Sequence, residues 1–166
     1  MCSVGPDAGI VHRVAAARRG AITKWSYVAP ALGQALRPQF GKLSVAVDGH
    51  QVVDGRKGLL IVANSRQYAA RLDPCSRACT SDGVLDVVFF PWGMAVATAL
   101  WAVASRLRLH TRLPGVVYAT GQSVTVLNRG ERSTPAQMDG EAAGTLDGAG
   151  AWTLRVRPGA LRVLVG

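Results

Sequence analysis

Short β-type segments separated by glycine-containing turns run through most of this chain, and they constrain its fold more than any other feature. Such segments lie at Lys42–Val47, Gln51–Val53, Gly58–Asn64, Val84–Phe90, Val116–Ala119, Ser123–Leu127, Ala136–Met138, Trp152–Val156 and Leu161–Val165. Asp48-Gly49 is typical of a tight hairpin turn, and Gly58–Asn64 is apolar enough to be buried on both faces. Because hairpins join neighbouring antiparallel strands, we predict largely antiparallel sheets packed face to face as a sandwich.

Three other segments favour helices. An alanine-rich segment follows the turn-like Gly5-Pro6-Asp7 and runs to Gly20, a second covers Thr23–Leu36, and the longest covers Gly93–Leu109. The lipid-like stretch of the longest helix covers about 12 residues, whereas a transmembrane helix needs roughly 20. The predicted fold class is therefore β-rich α+β, an antiparallel β-sandwich with two or three helices, the longest of them buried.

The composition is that of one globular domain with a substantial core, since 49% of the 166 residues are hydrophobic and 17% are charged. Nineteen Lys and Arg residues against ten acids give a net charge of +9, which favours anionic partners such as phosphates or an acidic lipid surface. The basic residues are scattered, few aromatics lie among them, and no nucleic-acid-binding module is visible. We therefore do not expect nucleic acid as the partner.

The three cysteines, Cys2, Cys75 and Cys79, form no disulfide framework and no zinc pattern, because no second Cys or His pair follows at zinc spacing. No secretory signal is visible at the N-terminus. Both observations indicate a reducing compartment, and we expect a cytoplasmic protein.

The segment Gln137–Glu141, with the sequence Q-M-D-G-E, is the strongest candidate for chemistry. Asp139 and Glu141 flank a glycine that lets the backbone turn sharply, so both carboxylates can reach one small site. Such a pair suits a general base, a metal clamp or both. Two solvated acids at the tip of an ordinary Asp-Gly turn are the alternative.

Four blocks in order give the chain a family resemblance. They are Gly5–Ala8 (G-P-D-A), the segment 62–68 (V-A-N-S-R-Q-Y), the loop 74–86 (P-C-S-R-A-C-T-S-D-G-V-L-D), and Q-M-D-G-E followed by the segment 156–164. Together they resemble the C-terminal domain of the bacterial diacylglycerol kinase and sphingosine kinase-like lipid kinases. The first block departs from the family, with proline where an aromatic residue is usual.

The resemblance covers nearly all of residues 1–166 and implies one C-terminal domain of the NAD kinase/diacylglycerol kinase-like fold. The family's N-terminal nucleotide-binding domain carries a Gly-Gly-Asp-Gly-Thr loop that cradles the ATP phosphates. That sequence does not occur among these residues. The chain therefore looks like half of a two-domain enzyme whose active site lies in the cleft between the halves.

The resemblance also assigns roles to residues. Asp139 corresponds to the aspartate that takes the proton of the attacking hydroxyl in phosphoryl transfer. Glu141 would assist through a metal or nucleotide contact, and Gly140 would let the backbone come close to the cofactor. The aspartate of the second loop, here Asp82, implies a structural Mg²⁺ site.

In that implied site, the carboxylate of Asp82 acts together with backbone carbonyls, which by spacing belong to Cys79 and Leu85, and with water. An ordinary Asp-Gly turn before a strand is the alternative. Asp86 is expected to face out of the strand that follows.

Other residues of the blocks have alternative interpretations. Asn64, Arg66 and Tyr68 lie where a buried strand gives way to a loop, so they contact lipid or the other domain, or cap their own loop. Asp7 either positions the entry to the domain or caps a helix.

A basic zone is also predicted near the end of the longest helix. It combines Arg106, Arg108 and Arg112 with Trp92 and Trp101 and suits an anionic membrane surface. The alternative is a core helix with a solvated basic end.

The function implied by the resemblance is transfer of the γ-phosphate of ATP to a lipid hydroxyl, with Mg²⁺ as cofactor, in phospholipid metabolism. The expected partners are a lipid at the membrane surface and the nucleotide-binding domain, and a homodimer stays open. A non-catalytic lipid-binding or regulatory module of the same fold is the main alternative. A kinase for a soluble dinucleotide and a basic nucleic-acid binder are weaker ones.

Overall fold

The computed structural model describes residues 1–16, 41–66, 72–91, 101, 103–148 and 150–160. Helix α1 (Pro6–Ala16) lies in the first of these ranges, a helical segment ends at residue 106, and a 3₁₀ turn spans His110–Arg112. The strands of these ranges are β1 (Cys2–Val4), β2 (Lys42–Val47), β3 (His50–Ala63), β4 (Leu85–Pro91), β5 (Val117–Gly121), β6 (Ser123–Asn128), β7 (Thr134–Met138), β8 (Glu141–Leu146) and β9 (Ala151–Arg155).

Strand β3 is shared by two sheets, and this sharing curls the strands into a sandwich. Its residues 50–57 pair with β2, which continues through β6 to β9. Its residues 58–63 lie between β1 and β4, in the order β8-β7-β1-β3-β4-β5. All of these pairs are antiparallel, so the predicted antiparallel, strand-rich fold is confirmed.

The core has two layers because β3 and β4 are buried on both faces. Leu60, Val62, Val87 and Phe89 point between the sheets, where they meet apolar residues of β2 and β6. Alternate residues of the same strands form a second cluster on the other face of the sheet: Ile61, Ala63, Val88 and Phe90, packed with Cys75, Ala78 and Trp101. Burial on two faces explains why these strands read as continuous apolar runs.

The predicted elements differ from the observed ones in three places. Gln51–Val53 and Gly58–Asn64 are parts of one long strand, β3, rather than two separate strands. Strands β1 and β8 were not predicted. The first has only three residues, and the second is an exposed edge strand without polar–apolar alternation, so neither carries a periodic signal.

Some predicted elements lie outside the described residues. These are the helix at Thr23–Leu36, the strand at Leu161–Val165, residues 17–20 of the first helix and most of Gly93–Leu109. Within the described part of the chain, no helix is both long and apolar enough to cross a membrane.

Candidate functional site

Three of the four family blocks converge on one edge of the larger sheet, which we call the rim. Met138 pairs with Cys2, Cys2 with Val62, and Val62 with Val87, so these four residues form one row across β7, β1, β3 and β4. One step beyond this row, β7 ends in the Asp-Gly turn, β3 ends at Ala63, and β4 begins after the 74–84 loop. Three segments that are far apart in sequence therefore meet at the same edge.

Both predicted sites lie at the rim, but they are separate from each other. The Asp139 turn follows β7, and the Asp82 loop precedes β4, three strand positions away. At roughly 4.8 Å per strand, this separation amounts to about 14 Å. Asp139 and Glu141 therefore form one candidate site, and Asp82, Cys79 and Leu85 form another.

Asp139 and Gly140 form a two-residue hairpin turn between β7 and β8, with Met138 paired to Glu141. Their φ angles are +50° and +86°, the signs required by a type I′ turn, whose twist matches that of the flanking strands. Asp and Gly are the residues that tolerate this conformation best. The turn lifts the Asp139 carboxylate away from the sheet, and its side chain is 75% exposed.

A second Asp-Gly turn offers an internal comparison. Asp48 and Gly49 join β2 to β3 with φ angles of +48° and +82°. The Asp48 carboxylate accepts the backbone N–H groups of Gln122 and Ser123 at 2.8–3.2 Å, so it holds structure together. In the described part of the chain Asp139 accepts no backbone N–H and pairs only with the Met1 ammonium, at 2.5 Å.

A chain of hydrogen bonds through the buried side chains of Gln137 and Ser3 supports the Asp139 turn. The Gly140 N–H donates to Gln137 Oε1 at 2.8 Å, and Gln137 Nε2 donates to Ser3 Oγ at 2.8 Å. The Ser3 hydroxyl donates to Asp7 Oδ2 at the first turn of α1. The network links the first and last family blocks through Asp7, which lies in the first turn of α1.

Glu141 is exposed and begins β8 directly after the turn. Its side chain makes no hydrogen bond to the described residues. The space above Gly140 is also open, because a Cβ added there would meet nothing within 4 Å. Two carboxylates and an open backbone thus stand together at one corner of the rim. That arrangement can accept a proton or contact a cation.

Asp82 is exposed, and its Oδ1 accepts the Val84 N–H at 3.1 Å, which closes a small turn before β4. Cys79 is also exposed, with Sγ 3.3 Å from Ser81 Oγ. This hydrogen bond lowers the pKa of the Cys79 thiol below its ordinary value. Leu85 is buried and contributes to the rim through its backbone.

The fit of a magnesium ion to this loop depends on its donor set. No cluster of three or more His, Cys, Asp or Glu side chains suited to a metal occurs in the described ranges. The predicted set has one carboxylate, Asp82, with two backbone carbonyls and water. Since Mg²⁺ keeps several waters and binds through one or two carboxylates, the exposed Asp82 is compatible with it.

The prediction that Asp86 faces outward is wrong. Asp86 is 1% exposed, and the Tyr118 hydroxyl donates to its Oδ1 at 2.5 Å. Burial raises the pKa of the Asp86 carboxyl, and the bond from Tyr118 opposes this shift. Because strand β4 is covered on both faces, the Asp86 side chain cannot reach solvent from either face. Its carboxylate accepts a hydrogen bond from Tyr118 of β5 instead.

The same tyrosine holds the 74–84 loop on the sheet. Its hydroxyl accepts the Arg77 N–H at 3.1 Å, and the Arg77 guanidinium lies 5.1 Å from the centre of its ring. Arg66 adds a second link by donating from Nε to the Ala78 carbonyl at 3.2 Å. These contacts fix the loop that carries Asp82.

The strand-end residues of the second block have different surroundings. Asn64 Oδ1 is buried and accepts no hydrogen bond in the described part of the chain, so it does not cap the loop through this atom. Arg66 is tied to the loop as described. Tyr68 lies outside the described residues.

The predicted basic zone is only partly as expected. Arg106, Arg108 and Arg112 are exposed, but Trp101 is 8% exposed and packs against Phe90 with ring centres 5.4 Å apart. Trp101 is therefore a core residue. Trp92 lies outside the described residues.

Sequence reasoning missed the residues that support the site. Gln137 stands out in the sequence only as the first residue of a block, and Ser3 and Tyr118 belong to none of the four blocks. No local signal pairs residue 3 with residue 137, or 86 with 118, because each pair forms across strands that are distant in sequence. Only the register of the sheet reveals them.

Comparison with known proteins agrees with this fold. Residues 1–165 match the model of the YegS C-terminal NAD kinase beta sandwich-like domain. Two solved structures, each a "putative diacylglycerol kinase" from Bacillus anthracis str. Sterne, are similar at 14% identity, with TM-scores of 0.56 and 0.53. No curated protein matches the chain.

The two alignments cover 96% and 78% of this chain but only 53% and 43% of the solved chains. The chain thus spans about half the length of these structures. At this identity the likeness shows a shared fold.

Proposed function

We propose that this chain, which belongs to the family of YegS C-terminal NAD kinase β-sandwich-like domains, forms the acceptor side of an ATP-dependent lipid kinase. The rim would receive the hydroxyl of a lipid such as diacylglycerol, and a nucleotide-binding domain would present ATP from the facing side. Since the chain spans about half the length of the solved structures it resembles, activity is proposed for the two domains acting together.

One observation carries the proposal: the Asp139 carboxylate stands exposed on a turn whose backbone is held by a buried network. Phosphoryl transfer needs positioned charges and a group that accepts the proton of the attacking hydroxyl. Asp139 would take this proton while the hydroxyl oxygen bonds to the γ-phosphorus of ATP and the bond to ADP breaks. The products are ADP and a lipid phosphate.

Asp48 shows why this carboxylate is suited to the role. Both aspartates occupy the same position of the same type of turn, but backbone N–H groups already occupy Asp48. The Asp48 carboxylate is therefore committed to holding the turn between β5 and β6. Asp139 accepts no backbone N–H from the described residues. Its Oδ1 pairs with the Met1 ammonium, but the side chain is 75% exposed, so a hydroxyl can approach the carboxylate.

Glu141 and Gly140 complete the proposed corner. Glu141 would contact a metal ion or the nucleotide, and the open space above Gly140 would let phosphate groups approach the backbone. Mg²⁺ held by Asp82 and the carbonyls of Cys79 and Leu85 would stabilise the neighbouring loop and supply positive charge there. The fixed Arg77 and Arg66 contacts keep that loop in position.

The direct test combines the chain with a nucleotide-binding domain of the same family, radiolabelled ATP, Mg²⁺ and diacylglycerol in mixed micelles. We expect labelled lipid phosphate from the combination and none from the 166-residue chain alone, because its sequence contains no Gly-Gly-Asp-Gly-Thr loop. Diacylglycerol, a sphingoid base and a monoacylglycerol should be compared as acceptors. Absence of labelled product with all three would contradict the proposal and favour a non-catalytic module.

A further inference from the structure

The end of the helical segment at 103–106 exposes apolar side chains that a soluble domain would normally bury. Val103, Leu107 and Leu109 are 57%, 60% and 42% exposed, and they are three of the four large hydrophobic residues exposed in the described ranges. Residues four apart lie on the same face of a helix, so Val103 and Leu107 are neighbours. The buried face is formed by Trp101, Ala104 and Ser105.

The backbone holds this exposed arrangement in place. Leu109 N–H donates to the Ala104 carbonyl at 2.8 Å and Arg108 N–H to the Ser105 carbonyl at 3.1 Å, the pair of bonds of a Schellman motif. Arg108 has a φ of +56° at the position where glycine is usual. In such motifs the next residue often packs on the helix, but Leu109 faces solvent.

The charges around these side chains are mainly positive. Arg106 and Arg112 are exposed beside the apolar residues, and no acidic residue occurs in the sequence between Asp86 and Glu131. The nearby Asp73 pairs with Arg108 at 3.0 Å. The neighbourhood therefore carries excess positive charge.

We infer that Val103, Arg106, Leu107, Leu109 and Arg112 form a docking patch for the surface of an anionic lipid bilayer. Apolar side chains flanked by arginines suit the boundary between head groups and acyl chains, where the guanidinium groups meet lipid phosphates. An acidic protein surface would pair with the arginines but would leave Leu107 and Leu109 exposed to water. The inference deepens the proposed function, on which it rests for the identity of the substrate, by naming the surface that meets the substrate's bilayer.

The patch is also tied to the start of the loop that leads to the rim, although His110 itself packs on Phe90, near the end of β4 away from the rim. His110 is fully buried and donates from Nε2 to the Pro74 carbonyl at 2.7 Å, and Arg108 pairs with Asp73. Both partners begin the loop that leads to Asp82. Docking at the patch would therefore hold this loop near the membrane surface.

The test is co-sedimentation of the full chain with vesicles of phosphatidylcholine alone or mixed with phosphatidylglycerol. We expect binding to the mixed vesicles only, reduced about tenfold or more by Arg106→Gln/Arg112→Gln and similarly by Leu107→Ser/Leu109→Ser. Arg155→Gln/Arg157→Gln removes the same charge at exposed positions elsewhere and should retain wild-type binding. The six residues changed in these three double variants are all exposed. Circular dichroism spectra that match the wild type would verify that the variants fold.

Equal loss of binding in the two arginine double variants would overturn the patch, because binding would then follow net charge alone. Loss of duplex DNA binding in Arg106→Gln/Arg112→Gln, with vesicle binding unchanged, would overturn the lipid assignment. The kinase assay in detergent micelles needs no bilayer. A wild-type chain that fails to bind the mixed vesicles but supports micellar activity would refute only the patch. A wild-type chain that binds these vesicles but supports no activity would refute only the kinase proposal.

Discussion

The side-chain oxygen of Gln137 accepts the backbone N–H of Gly140 over 2.8 Å, while the other end of the same amide donates to Ser3. One buried glutamine thus ties the turn that carries Asp139 to the strand that opens the domain. The bond to Gly140 places the glutamine three residues before the glycine. The first residue of the Q-M-D-G-E block supports the turn, and the acids that follow are exposed.

Replacing Gln137 with leucine should destabilise the domain. The Gly140 N–H would lose its acceptor and the buried Ser3 hydroxyl would lose its donor, and each lost hydrogen bond costs about 0.5–1.5 kcal/mol. Urea unfolding followed by circular dichroism measures the change. Gln122→Leu at an exposed position is the control, and equal unfolding midpoints for the two variants would contradict the role given to Gln137.

The two turn glycines allow a matched comparison of structure and function. Gly140 and Gly49 have φ angles of +86° and +82°, and a Cβ would meet nothing within 4 Å at either position. Alanine should therefore cost about 1 kcal/mol at each site from backbone strain alone. Only Gly140→Ala should lower lipid kinase turnover in the two-domain assay, and a matching loss in Gly49→Ala would count against a functional turn at Gly140.

Cys79 should be the reactive thiol among the three cysteines. It is exposed and its pKa is lowered, while burial raises the pKa of Cys2 to about 11 and also raises that of Cys75. Since the thiolate is the nucleophile, modification of Cys79 should reach half its maximal rate at a lower pH than the value of about 8.5 for a free cysteine. Reaction with a disulfide reagent, compared between wild type and Cys79→Ser, measures this.

Mg²⁺ should speed that reaction at neutral pH if the ion binds at the Asp82 loop, because a cation at the carbonyl of Cys79 favours the thiolate of the same residue. Asp82→Asn should remove this effect of Mg²⁺. An equal effect of Mg²⁺ on wild type and Asp82→Asn would exclude this loop as the metal site.

Arg108 occupies a left-handed position that suits glycine. Arg108→Gly should therefore be about 1 kcal/mol more stable than Arg108→Ala, because both lose the ion pair with Asp73 but only glycine relieves the backbone. Thermal unfolding of the two variants gives the difference. Indistinguishable stabilities would show that the αL conformation carries no strain here.

The alternation and spacing of apolar residues were enough to predict the sandwich and most of its strands. β4 and β6, for example, begin or end within one residue of the predicted segments. The predicted turns at Asp48-Gly49 and Asp139-Gly140 are hairpins because Asp-Gly satisfies the positive φ angles that such turns require. These strands and turns follow from signals that are local in the sequence.

The remaining features depend on contacts between distant residues. The burial of Asp86 follows from Tyr118 on a neighbouring strand and from cover on both faces of β4. The exposure of Leu107 and Leu109 follows from how the helix end sits on Phe90 and Pro74, which periodicity alone does not specify. The roles of Asp139, Glu141 and Asp82 stay predictions, since a carboxylate at the right edge is necessary for the chemistry but does not demonstrate it.

The most direct test of the account compares Asp139→Asn with Asp48→Asn in the two-domain lipid phosphorylation assay. Asparagine tolerates the left-handed turn, so both hairpins should persist. Asp139→Asn should lower turnover by about a hundredfold or more, as expected for loss of a general base, and leave stability unchanged. Asp48→Asn should cost about 1 kcal/mol of stability and leave turnover of the folded protein unchanged. Wild-type turnover in Asp139→Asn would contradict the assignment of Asp139 as the base.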